Sequence, residues 1–190
     1  MPKRCVWAEN CPIYRDYHDL EWGVPLHNDN KLFEMIILEG AQAGLSWITI
    51  LKRRESYRAA YDHFDPAKVA LYGEGKKAEL LQNPGIIRNQ LKVEASVNNA
   101  QKVLEIQEEF GSLNHYLWQF VDFKPLINNW EDVSQIPAQT ELSTRLSADL
   151  KKRGFKFVGS TICYALMQAI GLVQDHTKDC FRYKQCSDIT

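Results

Sequence analysis

The sequence predicts an all-α fold, and three observations support this prediction. Apolar residues recur at helical spacing, as in the stripe formed by Leu32, Met35 and Ile36. Prolines, glycines and capping residues divide the chain into roughly eight short helices. No segment alternates apolar and polar residues over the length of a β-strand. We expect one domain over residues 1–190, because a chain of this length can bury a single core.

Capping residues and glycines set the predicted helix boundaries. Asp29 or Asn30 is predicted to cap a helix that begins near Lys31, and Gly40 and Gly44 are predicted to end it. Further helices are predicted over residues 46–61, 66–72, 76–82, 88–110, 115–120, 143–153 and 158–173. The segments 1–29, 122–140 and 174–190 are predicted to be irregular.

Composition excludes several classes of protein. Hydrophobic residues make up 45% of the chain and charged residues 25%, which is ordinary for a globular protein. The net charge of −1 argues against a protein that coats nucleic acid through bulk charge. Two basic clusters, at 52–54 and 151–156, could either form a local basic surface or be solvated helix ends. No apolar run could cross a membrane and no secretory signal is evident, so we expect a cytoplasmic protein without a membrane partner.

Glu39 is the charged residue whose position is hardest to explain. On a helix it lies three, four and seven residues from Ile36, Met35 and Leu32, so it projects from the apolar face, whereas Glu34 is predicted to be solvated. A carboxylate near a helix C-terminus opposes the helix dipole by about 0.3–1 kcal/mol. Its burial without a partner costs several times more. Either an Arg or a backbone N–H group from elsewhere compensates Glu39, or it faces a ligand pocket.

Trp47 and Tyr17 are candidate walls of such a pocket. Trp47 by itself is more typical of an ordinary core residue, because Ile50 and Leu51 share its helix face. An enzyme that acts on a base has to remove it from the stack, and stacking on an aromatic side chain returns about 1–3 kcal/mol. A carboxylate accepts a hydrogen bond from an exocyclic amine and favours a cationic alkylated purine, to which aromatic faces add cation–π attraction.

The two ends of the chain carry a candidate metal site. His176 and Cys180 are one helical turn apart, and Cys5 and His18 lie near the other end. A Cys₂His₂ set suits a closed tetrahedral Zn²⁺ site, which could supply on the order of 10 kcal/mol of folding free energy. The alternative is that the cysteines are inert thiols and the histidines are surface residues. Three further residues compete as ligands: Cys11, His27 and Cys186.

A helix-hairpin-helix element is predicted over residues 77–105, around the turn Pro84-Gly85-Ile86. Such an element presents backbone N–H groups to a DNA phosphate. Gly85, Ile86, Arg88 and Lys92 are therefore candidate DNA contacts. Many αα-hairpins use glycine in the same way without binding DNA, so a purely structural turn is the alternative.

Three long motifs resemble the 3-methyladenine DNA glycosylase I family. They are YHDLEWGVP at 17–25, LEGAQAGLSW at 38–47 and KKRGFKFVG at 151–159, and shorter matches continue to His176. The resemblance covers nearly the whole chain. It implies a helix-hairpin-helix DNA glycosylase fold whose N- and C-terminal segments, 1–20 and 174–186, are joined by structural zinc. It also implies a monofunctional enzyme, expected to be a monomer, that excises 3-methyladenine from alkylated double-stranded DNA and leaves an abasic site.

The resemblance also assigns roles to residues. It implies that Glu39 and Tyr17 hydrogen-bond the flipped base, with Glu39 as the candidate catalytic residue, and that Trp47 stacks on the base between Trp7 and Trp22. Gly44 and Leu45 would fill the gap left in the duplex. Zinc would be bound by Cys5, His18, His176 and Cys180.

Two departures from the expected pattern stand out. The superfamily's catalytic aspartate after the hairpin is not evident, which fits a cationic base whose glycosidic bond is already weak. Pocket binding, electrostatic support of the sugar and a water nucleophile would then suffice, with Glu39 acting more in recognition than as a general base. Gln174 stands where the family pattern predicts Asn, beside the metal ligands.

Three rival functions fit parts of the sequence. A zinc-stapled DNA-binding module without catalysis explains the hairpin and the metal ligands but not Glu39 on an apolar face. A glycosylase of the same fold with another base preference is hard to separate, because one methyl group changes affinity by only about 1–3 kcal/mol. A small-molecule binding protein would not need the hairpin.

Overall fold

The computed structural model describes residues 2–9 and 11–188, so positions 1, 10, 189 and 190 of the predicted domain lie outside the described residues. The prediction of a mostly helical fold is confirmed. The described helices are α1 (Pro12–Leu20), α2 (Asp29–Gln42), α3 (Trp47–Leu51), α4 (Arg54–Ala60), α5 (Pro66–Val69), α6 (Glu74–Gln82), α7 (Gln90–Phe110), α8 (Leu113–Trp118), α9 (Glu141–Lys152), α10 (Ser160–Ala169) and α11 (Phe181–Ser187). None of the described helices is long and apolar enough to cross a membrane.

Helix α2 runs through the centre of the core. All its residues from 32 to 41 are buried, and it packs against α3, α7, α8 and α10. Its cap is Asn28, whose side chain accepts a hydrogen bond from the Lys31 N–H at 3.1 Å. The prediction of Asp29 or Asn30 as the cap is therefore wrong by one or two residues. Asp29 accepts instead from two backbone N–H groups in the first turn of α8, which fixes that helix against α2.

Gly40 and Gly44 play different parts at the end of α2. The helix continues through Gly40, where a Cβ atom would lie only 3.2 Å from Cβ of Phe157, so glycine permits this close packing. Helix α2 ends at Gln42, and Gly44 lies in the turn that follows, where its φ of +78° belongs to the left-handed region that favours glycine. The predicted helix over 46–61 is divided into α3 and α4 by a turn at Lys52–Arg53.

Several short elements were not predicted. Helices α1 and α11 lie in segments predicted to be irregular, and Pro12 occupies the first turn of α1. The two-residue strands β1 (Leu126–Ile127) and β2 (Val173–Gln174) pair in parallel, with Leu126 opposite Val173. The main chain therefore leaves the helical conformation before residue 173. Helix α10 ends at Ala169, earlier than predicted.

Candidate functional site: an aromatic pocket beside a Cys/His cluster

A cavity of about 450 Å³ opens beside α1, the C-terminal turn of α2, and α10. Its aromatic walls are Trp7, Tyr14, Tyr17, Trp22 and Trp47. The other lining residues are Glu39, Gln42, Val133, Ile136, Ala165 and Gln168. All five residues predicted to bind the base therefore line one cavity, whose volume lies within the range typical of small-ligand sites.

The aromatic rings of the pocket contact each other edge-on or at a tilt. Trp7 meets Trp22 at 5.1 Å and 78°, and Tyr17 meets Trp47 at 5.5 Å and 57° between ring centroids and planes. Trp47 is half-buried and packs against the core as well as the pocket, so the core interpretation and the ligand-wall interpretation both describe part of its surroundings. Rings held at angles to each other leave flat faces exposed to the cavity, and such faces suit stacking on a planar ligand.

Three polar groups of the pocket, on Glu39, Tyr17 and Trp47, have no partners among the described residues. The Glu39 carboxyl group is buried and makes no hydrogen bond or ion pair with any described residue. Desolvation by burial raises its pKa to about 8. The Tyr17 hydroxyl is likewise unpaired among the described residues, and burial raises the pKa of this group, with a smaller contribution from the charge of Glu39. The buried Trp47 Nε1 also lacks an acceptor. Buried polar groups are normally paired, so these atoms point to a ligand.

Glu34 shows what a compensated carboxylate on the same helix looks like. The prediction that Glu34 is solvated is wrong, because it is only 4% exposed, as is Glu39. Arg54 Nε donates to Glu34 Oε1 at 2.5 Å, and Arg58 Nε donates to the same oxygen at 3.0 Å. Arg54 also binds the Glu21 carboxylate. The Arg compensation considered for Glu39 is thus supplied to Glu34, while Glu39 receives none.

Four residues from the two chain ends form a buried cluster that could hold a metal ion. The ligand atoms of Cys5, His18, His176 and Cys180 all lie within 4.8 Å of one another. Cys180 Sγ is 3.4 Å from His18 Nε2 and 3.6 Å from His176 Nδ1. Hydrogen bonds with Cys5 and the two histidines lower the pKa of the Cys180 thiol. The cluster therefore brings two thiols and two imidazole rings together in a set of groups that suits a metal ion.

The outer nitrogens of the two histidines are fixed by other groups. His18 Nδ1 lies 2.8 Å from Asp19 Oδ1, and Arg4 in turn binds the Asp19 carboxylate through two nitrogens. His176 Nε2 lies 3.0 Å from the Trp22 carbonyl oxygen. These contacts leave His18 Nε2 and His176 Nδ1 directed at the thiols, as expected for metal-binding histidines.

The Cys/His cluster lies directly behind the pocket wall. Trp22 packs edge-on against His176 with ring centroids 4.7 Å apart, and Trp7 packs against His18 at 5.3 Å. Both tryptophans also line the cavity. The cluster therefore supports the pocket as well as joining the chain ends, a connection that the sequence did not reveal.

Gln168 and Asp175 form a part of the site that sequence reasoning missed. The buried Asp175 carboxylate accepts hydrogen bonds from Asn128, Trp130, Tyr164 and Gln168. Because Gln168 Nε2 donates to Asp175, the orientation of its amide at the cavity wall is fixed. Asp175 also ties the segment that carries Val133 and Ile136 to α10. The four donors come from two segments, one at Asn128 and Trp130 and the other in α10, and their convergence on Asp175 leaves no signal in the spacing of the sequence.

The residues predicted to contact DNA lie in two neighbouring places. Gly44 and Leu45 form an exposed loop between the pocket residues Gln42 and Trp47.

The second place is the hairpin turn. Gly85 N–H donates to Asn83 Oδ1 and Ile86 N–H to the Asn83 carbonyl, so both N–H groups have acceptors within the turn. The Ile86 side chain is buried, whereas Arg88 is exposed and makes no ion pair with any described residue. Lys92 donates to two backbone carbonyls at the end of α2, just before the Gly44–Leu45 loop.

The two basic clusters do not form one cationic surface. Arg54 is buried in its ion pairs, and Arg153 binds Glu109 and Asp149 while lying over the Phe110 ring. Lys52, Lys151 and Lys152 remain exposed. The clusters therefore divide into structural arginines and surface lysines.

Comparison with known proteins identifies the family. The sequence profile of the methyladenine glycosylase family matches residues 7–183. The chain belongs to the methyladenine glycosylase family. It is 50% identical over 181 residues to DNA-3-methyladenine glycosylase 1 of Escherichia coli K12, and 49% identical over 180 residues to DNA-3-methyladenine glycosylase of Haemophilus influenzae. Each alignment covers 95% of this chain and 97% of the relative.

Solved structures of 3-methyladenine DNA glycosylase I have the same fold as this chain. A crystal structure of 3-methyladenine DNA glycosylase I in which one Tyr is replaced by Phe, in complex with 3-methyladenine, superposes with a TM-score of 0.91 at 39% identity. The superposition covers 94% of this chain and 96% of the other. The resemblance inferred from the sequence motifs is therefore confirmed.

Proposed function

We propose that this chain is a DNA base-excision repair enzyme that hydrolyses the N-glycosidic bond of 3-methyladenine in alkylated DNA. The observation that carries the proposal is Glu39, a buried carboxyl group with no protein partner, in an aromatic cavity of a methyladenine glycosylase family member. Curated relatives are DNA-3-methyladenine glycosylases, and one related structure is a complex with 3-methyladenine.

The pocket recognises the flipped base through the groups that are unpaired without it. Glu39 accepts a hydrogen bond from the exocyclic amine and favours the positive charge of the methylated adenine. The Tyr17 hydroxyl supplies a second polar contact. Trp47 stacks on the base, with Trp7 and Trp22 completing the aromatic walls. The contacts of Glu39 and Tyr17 satisfy polar groups that otherwise have no partner among the described residues.

Hydrolysis needs little further chemistry from the protein. The bond between the sugar C1′ and the base nitrogen breaks, its electron pair leaves with the base, and the cationic base becomes neutral. A water oxygen bonds to C1′ and loses a proton to solvent, leaving an abasic site. The positive charge of the bound base favours the carboxylate form of Glu39, and this carboxylate supports the positive charge that develops on the sugar. Glu39 therefore acts by electrostatic stabilisation and recognition, in keeping with a sequence in which the superfamily's catalytic aspartate after the hairpin is not evident.

The DNA duplex is proposed to dock on the helix-hairpin-helix element over residues 77–105 and on the loop at the pocket. Gly44 and Leu45 fill the gap left by the flipped nucleotide. The turn at Gly85 and Ile86 faces the phosphate backbone with Arg88, and Lys92 was predicted to add a charge there. The chain acts as one domain and as a monomer. It works where bacterial DNA is found, in the cytoplasm at the nucleoid.

We further propose that the Cys/His cluster binds structural zinc. A tetrahedral ion with Zn–S of about 2.3 Å and Zn–N of about 2.0 Å places sulfur and nitrogen about 3.5 Å apart, close to the separations of 3.4, 3.6 and 3.7 Å found here. Four protein ligands leave no open position, so the ion has no place in hydrolysis. When bound, it supplies folding free energy and fixes the Trp7–Trp22 wall.

Release of free bases from methylated duplex DNA, separated by chromatography, tests the proposal. We expect free 3-methyladenine, and a loss of release in Glu39→Gln protein that remains folded. Release of several different bases would assign the chain to a glycosylase of broader preference. If folded, metal-loaded protein binds DNA but releases no base, the chain is a non-catalytic DNA-binding module.

A further inference from the structure

Lys92 connects the hairpin to the loop that is proposed to enter the DNA. Its Nζ donates to the Ala41 carbonyl and to the Ala43 carbonyl, each at 2.7 Å. Lys92 lies in the first turn of α7, just after the hairpin turn, and the two carbonyls lie 49 and 51 residues earlier in the chain. A single side chain therefore joins two surfaces that both face DNA in the proposed function.

The carbonyls that Lys92 binds belong to the end of α2. The last carbonyls of a helix have no partner within the helix, and the negative end of the helix dipole lies there. A cation at this place is stabilised by both effects. Lys92 is half-buried, and its burial lowers the pKa of the ammonium group. Two of its three protons are engaged by carbonyls, which leaves one for any other acceptor.

The loop that follows has few other constraints. Leu45 is exposed at 39%, and no atom within 4 Å surrounds the position of a Cβ at Gly44. Leu45 N–H donates to the Gln42 carbonyl at 2.7 Å, and Gln42 Nε2 lies 3.5 Å from the Leu45 carbonyl. The Lys92 contacts tie the end of α2, where this loop begins, to a distant part of the chain.

We propose that Lys92 is a positioning residue. It holds the Gly44–Leu45 loop in the position, relative to the hairpin, that is required for insertion into the duplex when the hairpin docks. This role rests on the proposed function of the chain. It differs from the role predicted from the sequence, a contact between Lys92 and a DNA phosphate. The two roles have different consequences, because a lost phosphate contact flattens the salt dependence of binding whereas a displaced loop lowers insertion and catalysis.

The decisive variant is Lys92→Met, which keeps the length of the side chain but removes its donors. The matched control is Lys102→Met, on the same helix, where the ammonium group pairs only with the surface residue Glu105. A second comparison is Arg88→Gln, which removes an exposed cation that has no ion pair with a described residue. Lys92→Arg tests rescue by another donor.

Loop insertion is read from 2-aminopurine placed opposite an abasic-site analogue, where unstacking by Leu45 raises its fluorescence. For Lys92→Met we expect a fluorescence change at saturating protein less than half that of wild type. We also expect kcat for base release to fall about 10–100-fold, the size of a lost charged hydrogen bond. The slope of log Kd against log salt should stay that of wild type, and binding of free 3-methyladenine should change less than twofold. Lys92→Arg should recover part of the fluorescence signal, and Lys102→Met should match wild type throughout.

Three results would overturn the proposal. A slope lowered by about one, as expected for Arg88→Gln, together with a normal kcat would make Lys92 a phosphate contact. Unchanged fluorescence and kcat would remove any role for Lys92. A parallel loss of free-base binding would mean general damage to the pocket. Failure of the proposed function itself would be distinct, because wild-type protein would then release no 3-methyladenine while the insertion signal could still be measured.

Discussion

The Cys/His cluster and the base pocket lie on opposite sides of the same two tryptophans. They differ in whether their polar groups have partners within the protein. In the cluster, every ligand atom has polar neighbours, and the outer nitrogens of His18 and His176 are fixed by Asp19 and the Trp22 carbonyl. In the pocket, Glu39 and Tyr17 have no partner among the described residues. A closed cluster whose groups all have partners suits a structural ion. An open cavity whose polar groups have no partners suits a ligand that binds and dissociates.

Removal of the proposed zinc ion should have the largest effect on the difference between the two regions. Chelation, or the substitution Cys180→Ser, should lower the free energy of unfolding by up to about 10 kcal/mol, because the four buried residues proposed as ligands lose their common ion. Elemental analysis, thermal unfolding and titration with free 3-methyladenine would measure it. We expect base binding to be lost as well, since His176 and His18 support Trp22 and Trp7. Full retention of base binding in metal-free protein would separate the two regions.

Glu34→Gln should have the next largest effect and should act on stability alone. It leaves Arg54, whose side chain is 12% exposed, without its buried partner. Loss of one member of a buried ion pair costs about 3–5 kcal/mol, and denaturant unfolding would measure this loss. The rate of base release by the folded fraction should stay within about threefold of wild type, an outcome that a role for Glu34 in catalysis would contradict.

Glu39→Gln should act on base recognition and spare the fold. We expect binding of the base and its release from DNA to fall about 10–100-fold, because a hydrogen bond to a charged group is worth about 1.5–3 kcal/mol. Isothermal titration and single-turnover release would measure the two effects. A clear drop in thermal stability at neutral pH would show instead that Glu39 has a structural role.

The pH dependence of stability should report the ionisation of the Glu39 carboxyl group. In the unfolded chain Glu39 ionises near its ordinary pKa of 4.5, whereas in the fold its pKa is about 8. Between these values the folded state binds more protons, so wild type loses stability as pH rises, by at most about 1.4 kcal/mol per pH unit. Denaturant unfolding from pH 5 to 8 should show Glu39→Gln gaining stability relative to wild type as pH rises. A difference independent of pH would mean that Glu39 is ionised in the fold.

Trp47→Phe should have the smallest effect. The substitution keeps an aromatic face and removes the buried Nε1 that has no acceptor, so the free energy of unfolding should change by less than about 1 kcal/mol. Affinity for free 3-methyladenine, measured by fluorescence or calorimetry, should fall less than about fivefold, because the smaller ring still stacks. A larger loss would show that Nε1 donates to the ligand.

The helical fold and the candidate site residues could be predicted from the sequence. The distant residues with which each buried charged group pairs could not. Glu34 and Glu39 illustrate the limit, since periodicity placed Glu39 on the apolar face and Glu34 in solvent, while both are buried. Arginines 20 and 24 residues downstream of Glu34 decide which carboxylate is compensated, and local spacing does not contain that information. Short elements were missed for a similar reason, because β1 and β2 exist only through pairing across the chain. The Cys/His cluster and the residues Glu39, Tyr17 and Trp47 were already candidates from residue types and spacing. Trp7 and Trp22 entered only through the family motifs, which encode distant contacts that spacing does not.

The sequence separation between the residues of the Cys/His cluster determines when the pocket wall can form during translation. Cys5 and His18 meet partners that lie more than 150 residues later in the chain. During translation, a chain that has not yet emerged as far as His176 lacks two of the four cluster residues, and its Trp22 carbonyl lacks the His176 ring. Most of the helical core lies upstream and can form first. The pocket wall is therefore completed last, so an unfinished chain does not yet carry a formed site for bases.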